Sequence, residues 1–140
     1  MTDIKSLIPH REPFLFVDRI ERANTTEIEG YKRFTRSESF FIGHFPGYPV
    51  VPGVILLEAL FQCGGAGVKS VPELAVEGLF FLAALEKAKF RRQVKPDEEI
   101  RMVVTNLRVG KTMVKQTGKA FVGKEVAVEA EWLCLISQQP

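Results

Sequence analysis

The stretch from Gly53 to Val68 constrains this chain more than any other. Cys63 aside, its only ionisable side chain is Glu58. Apolar residues fall on nearly every side of a 3.6-residue period, and a helix patterned in this way is buried. The rest of the chain must therefore wrap a rod about 24 Å long. Pro52 sits just ahead, where the first turn of a helix tolerates proline. Pro52, Gly53, Glu58, Gln62, Gly64, Gly65 and Gly67 break the apolar run Val50 to Val68. It therefore falls short of the roughly 20 apolar residues of a membrane helix. The helix is expected to run from about Gly53 to about Val68, with the glycines 64, 65 and 67 at its end to stop it.

What can wrap the helix is read from the flanking alternation. Phe14 to Glu21 and Glu27 to Thr35 read as strands around an Asn24-Thr25-Thr26 turn. Asp3 to Ile8 reads as a short helix, and Pro9 and Pro13 hold a rigid passage after it. Phe40 to Pro52, rich in glycine and proline yet apolar, reads as an ordered loop packed inward. Gly78 to Ala83, Lys87 to Arg92, Glu99 to Val109, Met113 to Val122 and Val126 to Ile136 read as further strands. In the last, Val126, Val128, Ala130, Trp132, Cys134 and Ile136 share one face. Gly110-Lys111 and Gly123-Lys124 supply hairpin turns. The expected architecture is α+β, an antiparallel sheet wrapped around one long central apolar helix. A chain of 140 residues implies one domain, 1–140.

Composition narrows the function classes. Lys plus Arg number 19 against 17 Asp plus Glu, a net charge of +2. This balance speaks against nucleic-acid binding and polybasic membrane anchoring. The two cysteines, Cys63 and Cys134, lie in apolar runs, and no metal-ligand spacing occurs. A disulfide scaffold or a zinc site is therefore not expected, and no phosphate-binding glycine motif is present. A short, charged start at Met1 to Ser6 leads to the expectation of a cytoplasmic protein without a signal peptide.

Three features carry chemistry. A carboxylate on a buried helix either answers a backbone amide or a lysine across a subunit interface, or it acts on a substrate. Desolvation raises its pKa, as a general acid near neutral pH requires. Gln62 lies one turn on and faces the same side, within reach of a hydrogen bond. His44, in the loop that delivers the chain to the helix, is a candidate general base or a core histidine bonded to a backbone carbonyl. Gly53 and Val54 present free amides at the positive end of the helix, suited to polarising a thioester carbonyl. His10 reads as structural. Phe80 and Phe81 are candidates to line an apolar tunnel.

At this point the sequence resembles a known family. Leu7-Ile8-Pro9-His10-Arg11-Glu12-Pro13-Phe14-Leu15-Phe16-Val17-Asp18-Arg19 is similar to the N-terminal signature of bacterial 3-hydroxyacyl-[acyl-carrier-protein] dehydratases of the FabZ type. Gly43-His44-Phe45-Pro46-Gly47-Tyr48-Pro49-Val50-Val51-Pro52-Gly53-Val54, with Leu57-Glu58-Ala59 and Gln62, resembles their active-site block. Lys89 to Pro96 is similar to the strand that follows. The resemblance implies a hot-dog fold, a homodimer or three dimers in a hexamer, active sites shared between subunits, and no cofactor and no metal. It places the catalytic histidine on His44, the catalytic glutamate on Glu58 of the partner chain, and the carbonyl-binding amide on Gly53. The implied partner is acyl carrier protein bearing a 3-hydroxyacyl chain, with Lys89, Arg91, Arg92 and Lys95 as candidate docking residues. Substrate contacts are expected from Gly53, Val54, Gln62 and Phe81. Three positions depart from the family pattern: Glu12 where an aromatic is common, Asp97 in place of glycine, and Phe81 near a gating tyrosine. The alternatives are a hot-dog acyl thioester hydrolase, a dehydratase-isomerase, a non-catalytic acyl-binding subunit, and a dehydratase dedicated to a specialised lipid or polyketide pathway.

Overall fold

In the computed structural model, which describes residues 2–138, the apolar stretch is helix α1, Gly53–Lys69. Residues 1, 139 and 140 of the expected 1–140 domain, Met1 of the charged start among them, lie outside the described residues. Six strands surround the helix: β1 Arg19–Ala23, β2 Glu27–Arg33, β3 Leu79–Phe90, β4 Glu99–Val109, β5 Met113–Val122 and β6 Glu125–Ser137. They form one antiparallel sheet in the order β1-β2-β4-β5-β6-β3. Helix α1 touches every strand. This is the expected hot-dog arrangement.

The core lies between helix and sheet. Leu56, Leu57, Ala59, Leu60, Cys63 and Ala66 meet Ile28, Met102, Val104, Val114, Val128 and Trp132 there, all buried. Alternation in β6 follows expectation from Val128 on, with Val128, Ala130, Trp132 and Cys134 on the core side, but Ala127, expected on the other face, is buried where the register against β5 shifts. Gly123, at φ 58, turns β5 into β6, and Gly110 N–H donates to Met113 O across the preceding turn. Asn24 Oδ1 accepts from the amides of Thr26 and Glu27, which closes the β1–β2 turn.

Several expectations are corrected. Helix α1 ends at Lys69, one residue past the expected end near Val68, but its glycines lie within it and do not stop it. They let it lie close to its neighbours. A Cβ on Gly67 would stand 2.4 Å from Ile28 Cγ2, and one on Gly64 2.2 Å from Gln116 Oε1. The two strands expected in 78–92 are one, β3, whose register against β6 shifts between Leu82 and Ala84 and between Glu86 and Lys89. Such bulges break the two-residue period. Asp3 to Ile8 holds only a short 3-10 turn, Ile4–Ser6. The loop before α1 is only partly inward. Phe41, Val50 and Val51 are buried, whereas Ile42, Phe45 and Tyr48 are exposed.

The expected strand 14–21 begins only at Arg19. Leu15, Phe16 and Val17 are all buried, so the segment does not alternate. Its main chain pairs with a side chain of α1. Phe16 N–H donates to Gln62 Oε1 (2.7 Å), and Gln62 Nε2 donates to Phe14 O (3.1 Å). The N-terminal segment is thereby drawn across α1.

Candidate active site

The helix start forms one half of the site. Pro52 caps it from extended backbone, and its carbonyl accepts from the amides of Ile55 and Leu56. The amides of Gly53 and Val54 belong to the first turn and have no acceptor within the helix. A Cβ at Gly53 would lie 2.7 Å from the Phe90 ring, so only glycine lets Phe90 cover this end. His44, Val50, Gly53, Leu56, Phe90 and Arg91 line the cleft that results. His44 is held there by Val50: Val50 N–H donates to the His44 carbonyl, and His44 Nδ1 lies 3.0 Å from Val50 O. A carbonyl only accepts, so Nδ1 carries the hydrogen and Nε2 keeps its lone pair free to accept a proton. The ring stacks on Phe45 with centroids 4.1 Å apart.

Glu58 lines a second cleft, with His10, Phe61, Lys69, Phe80 and Leu82. Gln62 Nε2 donates to Glu58 Oε2 at 2.9 Å. The Gln62 amide cannot turn away, because the backbone at 14 and 16 occupies its other contacts. Burial pushes the Glu58 carboxyl above the usual carboxylate range, and the Gln62 hydrogen bond opposes part of that rise. Burial also pulls His10 below the ordinary histidine value, helped by the charges of Lys69 and Arg11. Cys134, on the wall of the same cleft, is pushed up to about 11 by burial and by Glu58.

Gly53 and Glu58 are five positions apart on one helix. At 3.6 residues per turn they point about 140° away from each other. Glu58, Phe61, Gln62, Gly65 and Lys69 share one side of α1, while Gly53 and Leu56 share the other. A single chain therefore carries His44 and Glu58 in different clefts.

Comparison with known proteins decides the family. A family model described as a FabA-like domain matches residues 8–131. A protein of Desulforamulus reducens named 3-hydroxyacyl-[acyl-carrier-protein] dehydratase FabZ is 44% identical over 137 residues, covering 97% of this chain and 96% of its own. One of the same name from Pelotomaculum thermopropionicum is 45% identical over 132 residues, 94% of each chain. This chain belongs to the FabZ-type dehydratase family. Solved structures agree on the fold. The dehydratase heterocomplex ApeI:P of Xenorhabdus doucetiae superposes with a TM-score of 0.87 at 12% identity, over 99% of this chain and 93% of that one. A hypothetical thioesterase with coenzyme A from Streptococcus pneumoniae reaches 0.64 at 13%, over 86% and 89%.

Other expected site residues of this FabZ-type chain fall less neatly. Val54 is exposed and outside both clefts. Phe81 is 54% exposed on the edge strand β3 and lines neither; the adjacent Phe80 and Leu82 face Glu58 instead. Arg91 and Arg92 rim the His44 cleft and are ion-paired, Arg91 with Glu129 and Arg92 with Glu98 and Glu125. Two residues beside Glu58 were missed as site residues, His10 and Lys69. Lys69 lies eleven positions after Glu58 on the same helix face, so helical spacing could have found it; no local period signals His10, because the N-terminal segment reaches α1 through a long-range contact.

Proposed function

We propose that this chain catalyses the reversible dehydration of (3R)-3-hydroxyacyl thioesters of acyl carrier protein to trans-2-enoyl thioesters, in cytoplasmic fatty-acid synthesis. The observation that carries this reading is a histidine with a bare Nε2 beside free helix amides, joined on the same helix by a carboxyl whose hold on its proton burial strengthens. The Gly53 N–H polarises the thioester carbonyl, which acidifies the α-carbon. His44 Nε2 takes the α-proton. The electron pair of that C–H bond becomes the new double bond as the β C–O bond breaks. Glu58 gives its proton to the departing hydroxyl, which leaves as water. Hydration runs the same steps in reverse.

Because the two groups face opposite sides of α1, the working site joins His44 and Gly53 of one subunit to Glu58 of another. A homodimer supplies two such sites by symmetry. The edge strand β3, with Phe81, Leu82 and Leu85 exposed, offers an apolar surface for the pairing. Arg91 and Arg92 at the mouth of the His44 cleft suit an acidic carrier protein, whose approach they steer.

Subunit mixing tests this arrangement. His44→Ala and Glu58→Gln each lose roughly 10²-fold or more in hydration of a trans-2-enoyl thioester, followed as loss of the enoyl absorbance. Unfolding and refolding the two variants together pairs them at random. Half the dimers are then mixed, and each mixed dimer has one intact site of two, so about a quarter of wild-type activity returns. No recovery would refute the shared site. Release of free thiol in place of hydration would turn the reading to hydrolysis.

A further inference from the structure

The scheme above leaves one neighbour of Glu58 unused. His10 Nε2 lies 3.8 Å from Glu58 Oε2. Its Nδ1 is buried and has no hydrogen-bond partner among the described residues. A buried, unpartnered ring nitrogen is costly and calls for a reason. The ring is not there by accident of a loose terminus. Arg11 donates to the carbonyls of Lys5, Ile8 and His10, which ties the turn on which His10 stands. The His10 side chain keeps 29% exposure, so it bridges solvent and the half-buried carboxyl.

We propose that His10 returns to Glu58 the proton that Glu58 gives up in each turnover. This inference rests on Glu58 acting as the acid. Dehydration leaves Glu58 a carboxylate and His44 an imidazolium. Protonated His10 gives its Nε2 proton to Glu58 Oε2. Neutral His10 then takes a proton from solvent and His44 releases one, so the cycle consumes none. At 3.8 Å the pair is too long for a hydrogen bond. Transfer needs one bridging water or a closing of about 1 Å, as resting sites commonly require.

The surroundings suit such a transfer. The titratable and charged groups around His10 are Glu58 and Lys69 from α1, Arg11 from its own segment and Cys134 from β6. The two cations make protonated His10 a ready donor. Burial moves Glu58 up and His10 down, so their proton affinities approach each other. His10 touches Glu58 rather than the substrate; it is a positioning residue for a proton.

The test compares wild type, His10→Ala and His10→Gln with the 3-hydroxyacyl carrier substrate, in dilute buffer of a kind that transfers protons poorly. His10→Gln keeps a polar side chain of similar length but no transferable proton, so a loss shared by both variants is not a folding effect. Steady-state kcat is expected to fall about 10-fold in each, with KM and the single-turnover rate of enoyl formation unchanged. Added imidazole should restore most of the kcat of His10→Ala and saturate, whereas sodium chloride at equal ionic strength should not. The inference is overturned by unchanged kcat in both variants. It is equally overturned by a loss already present in the single turnover, or by one that imidazole does not reverse. A wild-type protein inactive in both directions would instead overturn the dehydratase reading, and the His10 step with it.

Discussion

Replacing Gln62 by leucine removes a clamp while leaving the core almost filled. Gln62 is 2% exposed and makes three hydrogen bonds: from Phe16 N–H, to Phe14 O and to Glu58 Oε2. Leucine has nearly the same bulk, so the cavity term is small. The dominant cost is the Phe16 amide, left without an acceptor where its residue is 1% exposed. An orphaned buried donor costs about 1–3 kcal/mol, and each remaining bond contributes roughly 1 kcal/mol. Phe14 is half-exposed, so water can answer its carbonyl and that share shrinks. The sum is about 3 kcal/mol, or a fall in Tm of about 10 °C for a domain of this length. The activity change has a sign as well as a size. The Gln62 donor favours ionised Glu58, so its loss lets burial lift the carboxyl further. Dehydration needs protonated Glu58, and the limb on which its rate falls with rising pH should move to higher pH. With the carboxyl untethered, kcat/KM should drop about 10- to 100-fold. Thermal unfolding by circular dichroism and pH–rate profiles of dehydration with the 3-hydroxyacyl thioester check both. A Tm within about 2 °C of wild type, together with an unmoved limb, would refute the clamp.

Three further outcomes are expected. Glu58→Gln should melt above wild type at neutral pH. The raised carboxyl binds its proton more tightly in the folded state, so that stability is full below the unfolded pKa near 4.3 and is lost as pH rises through the folded value. The variant never carries the charge; calorimetry should show its advantage vanish by about pH 4, and equal melting at both pH values would contradict this. Gly67→Ala drives a methyl to 2.4 Å from Ile28 and should cost about 1–3 kcal/mol in the denaturant midpoint; an unchanged midpoint would show that the helix can back away. Asp97 has φ 71 and an exposed pairing with Arg36 that contributes little. Asp97→Gly should stay within about 1 kcal/mol of wild type while Asp97→Val loses about 1–2 kcal/mol, both read by urea unfolding; equal losses would show that the side chain matters, not the backbone.

Much of this was legible along the chain because it is local. The buried helix, its start after Pro52, the β4–β6 meander and the turn at Gly123 follow from periodicity and turn chemistry within short windows. The family-like blocks likewise picked out His44, Gly53, Glu58 and Gln62. The structure sets His44 and Gly53 in one cleft, and Glu58 and Gln62 in another. What stayed hidden depends on which remote surface meets which. Glycines 64 and 67 read as a stop in one dimension but serve as contact points once Gln116 and Ile28 lie against them. Ahead of the bulges of β3, Phe80 and Leu82 pair with Ile136 and Cys134 of β6, so Phe80 rather than Phe81 meets the cleft. His10 comes beside Glu58 because Gln62 captures the backbone at 14 and 16, two ends of a contact 46 residues apart. A helix period tells where a side chain lies around its own axis. Which neighbour occupies that direction is set by long-range packing, where the loss of chain entropy must be outweighed by buried surface and by satisfied polar groups.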